Sequence, residues 1–344
     1  MKRKLVVFGM MMGGVVLGSE KTEVSFTWEN DTFLDRLGFD YVDRHYTQGA
    51  EIEVWLRDNE LQVGELGFVG SKVGWEWLGD WGMEVERTRG WVSLGQESYT
   101  PQALGVGFGG VSVSPTADQL QVDDRPYAGY LFVEVGWERR GRTRFGGWLS
   151  VPTRDRVIWT AGVVGPAALG EEAQSWWHEI FDGVEPEGWR FQLDNEPVVN
   201  VAMERLWLLG KSWANGMRVD VMPMVGFDAG TVRSALNVGL EGRVGMGEIG
   251  EFLLPSMGQG GGFGWYVYAG AEGNLVARDI FLDGNTFSSS HEVDRAVAVG
   301  EIRAGIGVQS DSVEARLGWA RRSVEFSEQD IPNQYLSGTL TFKF

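Results

Sequence analysis

The sequence predicts an all-β fold: a twelve-stranded antiparallel transmembrane β-barrel with a short helix in one extracellular loop. Three observations carry that expectation. The chain opens with an export signal. Twelve later segments, most about ten residues long, alternate apolar and polar side chains with period two, and this is the length a tilted strand needs to cross a bilayer. No stretch after the signal reaches roughly eighteen consecutive apolar residues, so no transmembrane helix is predicted.

The export signal spans residues 1–19. Met1-Lys2-Arg3-Lys4 is basic, Leu5 to Gly18 carries no charge, and Gly18-Ser19 offers small residues for cleavage. Residues 20–344 then form one barrel domain. Without Lys2, Arg3 and Lys4 the chain has 27 basic and 48 acidic residues, a formal charge of −21. That excess argues against a nucleic-acid partner and suits cation binding or a solvated acidic surface. There is no cysteine, so an exported chain must be held by a large core or a closed hydrogen-bonded barrel rather than by disulfides. Fifty glycines fit tight turns and crowded strands, and sixteen tryptophans fit membrane interfaces.

The strands follow in order. Val24 to Glu29 places apolar side chains at even numbers. Ala50 to Leu56 repeats the pattern, with Ala50, Ile52, Val54 and Leu56 against Glu51, Glu53 and Trp55. Trp91 to Tyr99, Tyr127 to Arg139 and Asp155 to Gly165 come next. Beyond them lie Glu196 to Leu208, Met217 to Phe227, Arg233 to Val244, Gly264 to Ala277, Ala296 to Val308, Val313 to Ser323 and Tyr335 to Phe344. The polar faces include charges, as a lumen would, and the terminal Phe344 resembles the C-terminal aromatic of bacterial outer-membrane proteins. Gln309-Ser310-Asp311 is short enough for a periplasmic turn. The longer stretches Asp31 to Tyr46, Pro101 to Pro126, Pro166 to Asn195 and Asp279 to Asp294 would be extracellular. Gly64 to Arg89 either extends the second and third strands or forms a wide turn.

One stretch breaks the alternation. Glu171 to Phe181 has no Gly or Pro, carries acids in its first turn, and is followed by Gly183 and Pro186; it reads as a helix. It holds Trp176, Trp177 and His178, one of three histidines in the chain. Two readings stand: a helix whose tryptophans cover an apolar edge, or a helix that presents His178 for chemistry.

Three clusters could carry that chemistry: Trp28 to Phe33, Asp43 to Gly49, and the His178 helix with its tail Gly188 to Pro197. In a barrel the first two form one hairpin with its loop outside, and the helix belongs to another outer loop. A carboxylate, an amide, a hydroxyl and an imidazole can then meet at one rim. Asp31 and Thr47 could equally bridge a hairpin, and Asp123-Asp124-Arg125-Pro126 could be structural. His45 and His291 read as loop residues.

The segments Glu29-Asn30-Asp31, Tyr46-Thr47-Gln48-Gly49, Asp123-Asp124-Arg125-Pro126-Tyr127-Ala128-Gly129, Trp177-His178, Gly188-Trp189 and Gln192-Leu193 occur in an order that resembles the lipid A 3'-O-deacylase family. The resemblance covers essentially the whole mature chain. It implies a monomeric outer-membrane barrel and a calcium-dependent esterase that removes the 3'-linked acyl chain of lipid A. It places the functional positions at Asn30, Asp31, Thr47 and His178. In that assignment His178 is the general base, Asp31 holds the cation, and Asn30 and Thr47 position substrate or water. No G-x-S-x-G is present to support a serine nucleophile. The sequence departs from the pattern twice. Val122 stands where a basic residue is expected ahead of the Asp-Arg pair, and Val184 where a glutamate is expected after the histidine. Arg125 is a candidate for the missing charge. An anionic lipid and an acidic protein also need divalent cations between them, or basic patches such as Arg139-Arg140-Arg142 and Arg321-Arg322. The alternatives are a non-catalytic barrel, structural or a narrow channel, and an outer-membrane phospholipase.

Overall fold

A computed structural model describes residues 22–31, 45–56, 81–101, 120, 122–181, 188–250 and 262–344, without the side chains of residues 45, 47, 177, 178, 180 and 181. The expected signal peptide, residues 1–19, and Val184 lie outside these residues. The strands are β1 (Glu23–Asn30), β2 (His45–Trp55), β3 (Met83–Thr100), β4 (Ala128–Phe145) and β5 (Leu149–Val164). Next come β6 (Glu196–Trp207, continued after Leu208 by Leu209–Ser212), β7 (Met217–Gly230), β8 (Arg233–Gly247) and β9 (Gly264–Asp279). The last three are β10 (Ala298–Gln309), β11 (Val313–Arg322) and β12 (Asn333–Lys343). Both pieces of β6 pair with β7, so they are one strand interrupted at a single residue.

Every strand pairs antiparallel with its neighbours in sequence, and β1 pairs with β12, which closes a twelve-stranded barrel. Closure leaves no free edge, which is what a bilayer demands of a sheet. The seam is tied by side chains as well. Ser25 Oγ lies 2.9 Å from Thr341 Oγ1, and the Phe26 and Phe342 rings meet edge-on at 6.4 Å.

All twelve expected strands are present, and the period-two pattern sorts their side chains as a barrel requires. Phe26, Val133, Leu236, Val238, Ile306 and Leu317 face outward and are exposed, forming an apolar belt. Ser25, Thr27, Glu29, Arg303 and Arg316 face a central cavity of about 350 Å³. The lumen is crossed by ion pairs. Glu138 lies 2.6 Å from Arg140 and 2.7 Å from Arg156, while Glu241 bonds Arg303 at 2.9 Å and Arg316 at 3.3 Å.

The two ends of the barrel differ. At one end the links 146–148, 213–216 and 310–312 are short; we call this the turn end. The other, the loop end, carries helix α1 (Gly170–Phe181) and the helical turn α2 (Ile280–Asp283). Here α2 enters the mouth of the lumen. Ile280, Phe281 and Leu282 are buried, and the Phe281 ring stacks on Tyr99 at 4.0 Å.

Strands β3, β4 and β5 reach further toward the turn end than the sequence pattern suggests, and this revises one expectation. The Arg139-Arg140-Arg142 run is not a loop-end patch for an anionic lipid. It lies in the turn-end half of β4, where Arg139 and Arg140 are buried in ion pairs and Arg142 donates to Ser150 Oγ at 2.8 Å. Arg139, Asp155 and Arg205 face one another across β4, β5 and β6. Arg139 reaches Asp155 at 2.8 Å and Arg205 reaches it at 2.6 Å, with the Arg205 guanidinium over the Trp81 ring. At the loop end Arg322 is likewise committed, to Glu301 at 3.0 Å and Glu325 at 3.4 Å, whereas Arg321 is exposed.

Candidate active site

Strand register brings the first two sequence clusters together. On the outward face, Val24, Val54, Val92 and Val135 lie in one row across β1 to β4. Phe26, Ile52, Leu94 and Val133 form the next row toward the loop end, followed by Trp28, Ala50, Gln96 and Leu131. Asn30, Gln48, Ser98 and Gly129 form the row after that. The wall thus changes from apolar to polar at one level. Neighbouring strands are ~4.8 Å apart, so Asn30 and Gly129 are separated by roughly 14 Å along that row.

These polar side chains point out of the barrel, yet Asn30, Ser98 and the adjoining Asp31 and Thr100 are fully buried. Ser98 Oγ has no hydrogen-bond partner among the described residues. Thr47 is the extra residue of a β-bulge, since Tyr46 faces Tyr99 and Gln48 faces Ser98. A bulge re-aims side chains and recurs beside functional sites. Its neighbour Tyr46 turns inward and donates to Glu29 at 2.7 Å.

Helix α1 is docked on this outer wall. A Cβ at Gly129 would lie 2.9 Å from Gly170 N and 3.0 Å from Gly170 Cα, so only a glycine lets the helix approach. Gln96 Nε2 donates to the carbonyls of Ala168 at 2.6 Å and Leu169 at 3.1 Å, fixing the entry to the helix. From Gly129 the helix passes over β4 and β3. Gly170 and Gln174 are buried on its barrel side.

The remaining motif residues brace the helix. Trp189 Nε1 donates to Gln174 Oε1 at 2.9 Å, and its ring lies 5.3 Å from Tyr127. Leu193 N donates to the Tyr127 carbonyl. Asp194 and Asn285 exchange two hydrogen bonds of 3.0 Å, and Glu196 accepts from Asn285 Nδ2 and the backbone of Thr286. His291 is a loop residue as expected, and it has a tethering contact: Nε2 lies 2.6 Å from the Asp124 carbonyl oxygen. Arg125 is buried, 3.6 Å from Glu325 and over the Tyr99 ring at 4.8 Å. It serves the mouth of the lumen and does not replace the charge missing at Val122.

Strand pairing thus brings Asn30 and Asp31 beside the bulge at Thr47, while the helix that carries His178 packs against β3 and β4 at the same end. The side chains of Thr47 and His178 are outside the described set, as are those of His45 and Trp177. Sequence reasoning missed Gln96, Ser98 and Gln174. Only Gln174 left a trace in the sequence, four residues ahead of His178.

The family model described as "Outer membrane protein LpxR" matches residues 5–344. Among solved structures, LpxR from Salmonella typhimurium superposes with a TM-score of 0.67 at 19% identity, covering 94% of this chain and 100% of that one. The β domain of the Bordetella autotransporter BrkA gives a TM-score of 0.43 at 10% identity, covering 95% of this chain and 100% of that one. No curated protein sequence matches.

Proposed function

This chain belongs to the LpxR family of outer-membrane proteins, and we propose that it is a lipid A deacylase acting at the outer leaflet. The finer reading is hydrolysis of the 3'-linked acyl ester, with His178 as general base. One observation supports it above the rest: Asn30 and Ser98 are buried on the outward-facing wall, at the level where the apolar belt ends, and the helix that carries His178 is seated on Gly129 of the same row. An acyl ester of a membrane lipid lies at such a boundary, with its chain in hydrocarbon and its headgroup in water. A site there takes the ester from the side without extracting the lipid.

In this reading a neutral His178 imidazole takes a proton from a water as that water adds to the ester carbonyl. The proton then passes to the departing sugar oxygen as the acyl–oxygen bond breaks, giving a free fatty acid and a hydroxyl on the sugar. Asn30 and Thr47 orient ester and water. Asp31 and Asn30 would supply oxygen ligands at the end of β1 to a hard cation such as calcium; the described residues hold no cluster of three or more acidic or histidine side chains, so its other ligands would be water, backbone or substrate oxygens. Such a cation supplies electrostatic stabilisation of the carbonyl oxygen as charge develops there.

Mass spectrometry of lipid A from cells expressing wild type or His178→Ala tests the reading. Loss of the mass of one 3'-acyl chain should require His178. An unchanged profile with wild type overturns it, and release of fatty acid from phospholipid instead reassigns the substrate. Chelation of divalent cations should abolish deacylation, and added calcium should restore it; activity that survives full chelation removes calcium from the proposal.

A further inference from the structure

Helix α1 has a third face that neither the barrel nor the proposed chemistry uses. Its barrel side carries Gly170 and Gln174, both buried. Glu171, Glu172 and Glu179 are exposed on a second side. Between these lies an apolar edge. Trp176 is 57% exposed, with half-buried Ala173 one turn before it on the same stripe. Leu169, at the entry to the helix, is 50% exposed and held in a left-handed backbone conformation, φ 59°, that disfavours a side chain. Water is a poor environment for both residues, and no described part of the chain covers them.

Their position in the fold indicates what does. The carbonyls of Ala168 and Leu169 are held by Gln96, which faces outward from β3. The next outward residues down that strand are Leu94 and Val92, paired on β4 with Val133 and Val135. Those residues belong to the apolar belt. The exposed edge of α1 thus begins where the lipid-facing wall ends and is continuous with it. An apolar edge that continues a lipid-facing wall, with charges on the opposite edge, is the arrangement of a helix lying in a membrane interface.

We propose that Leu169 and Trp176 insert into the hydrocarbon of the surrounding leaflet, so that α1 is docked on lipid as well as on the barrel. Glu171, Glu172 and Glu179 remain in water. The helix then rides at a fixed depth, set by the bilayer rather than by its loop alone. The inference does not depend on hydrolysis and stands or falls by depth alone.

The absence of cysteine makes the test direct. Leu169→Cys, Trp176→Cys, Glu172→Cys and Val133→Cys would each carry one nitroxide in protein reconstituted into vesicles of phosphatidylcholine and phosphatidylglycerol. Collisions with oxygen report hydrocarbon, and collisions with a water-soluble nickel complex report water. Labels at 169 and 176 should lose nickel access and gain oxygen access, as the belt control at 133 does, while 172 shows the reverse. Nickel access at 169 or 176 equal to that at 172 overturns the proposal. If Trp176→Cys does not fold, judged by heat-modifiable migration, the label at 169 decides alone.

Discussion

Glu138 and Ser98 are both fully buried polar residues on strands of one barrel, yet they are treated in opposite ways. Glu138 faces the lumen among Arg140, Arg154 and Arg156, at 2.6, 3.8 and 2.7 Å. Ser98 faces the outer wall and its hydroxyl has no partner among the described residues. Around Glu138 charge answers charge, and that network fills part of the lumen. Outside, Ser98 is shut away from both lipid and water with its hydroxyl unmatched among the described residues. Leaving a buried polar group unsatisfied costs about 1–3 kcal/mol, so a fold tolerates it where something else is gained. On the proposed function, the lumen network serves the architecture and the outer row serves the chemistry.

The largest effect that would test this division is at the helix. His178→Ala should lower deacylation by about two to four orders of magnitude, the usual worth of a general base, without changing the unfolding temperature. Lipid A mass profiles and heat-modifiable migration measure the two quantities. A comparable loss from a lumen substitution would erase the distinction. The matching lumen experiment is Glu138→Gln, which leaves the guanidinium groups of Arg140, Arg154 and Arg156 without their common carboxylate. Breaking a buried pair from one side costs roughly 3–5 kcal/mol, and here it should appear as a lower unfolding temperature with turnover per folded molecule retained.

Gly129→Ala lies between these extremes. Its methyl group would meet Gly170 backbone at 2.9 Å, so α1 must lift while the strand pairing beneath it persists. A displacement of about 1 Å at a reacting group can cost ~100-fold, so activity should fall toward that limit with barrel stability little altered. Retained activity would mean that the helix does not set the position of the base.

The sequence makes some of this legible and hides the rest for physical reasons. Alternation reveals a strand wherever one face meets lipid, as in Val313 to Trp319 or Leu236 to Leu240. It fails at the turn-end halves of β4 and β5. There Arg139 and Asp155 point outward and neutralise each other across the sheet, so the sequence looks like a polar turn. The motifs from Glu29 to Leu193 announce a site but not its shape. The row Asn30, Gln48, Ser98 and Gly129 exists only once three pairings and the bulge at Thr47 fix the register, and none of these is written in any one segment. Ser98 was invisible for that reason. For Arg125 the sequence left a structural and a substrate-facing reading open, and its burial against Glu325 and Tyr99, both distant in sequence, favours the structural one.

The smallest expected effect concerns Val122, which is 66% exposed just ahead of Asp123 and Asp124. On the outer-row reading, an anionic lipid approaches a rim that carries two carboxylates and lacks the basic residue expected there. Val122→Lys supplies one positive charge in a solvated position. An exposed charge is worth about 0–1 kcal/mol, so kcat/KM should rise by at most roughly fivefold. The gain should come through KM rather than kcat, because the lysine would attract substrate without touching the reacting atoms. It should also fade as ionic strength rises toward 1 M, where the screening length falls to about 3 Å. A salt-independent gain would point to a specific contact at the ester, and no gain at low salt would mean that substrate reaches the polar row without passing this rim.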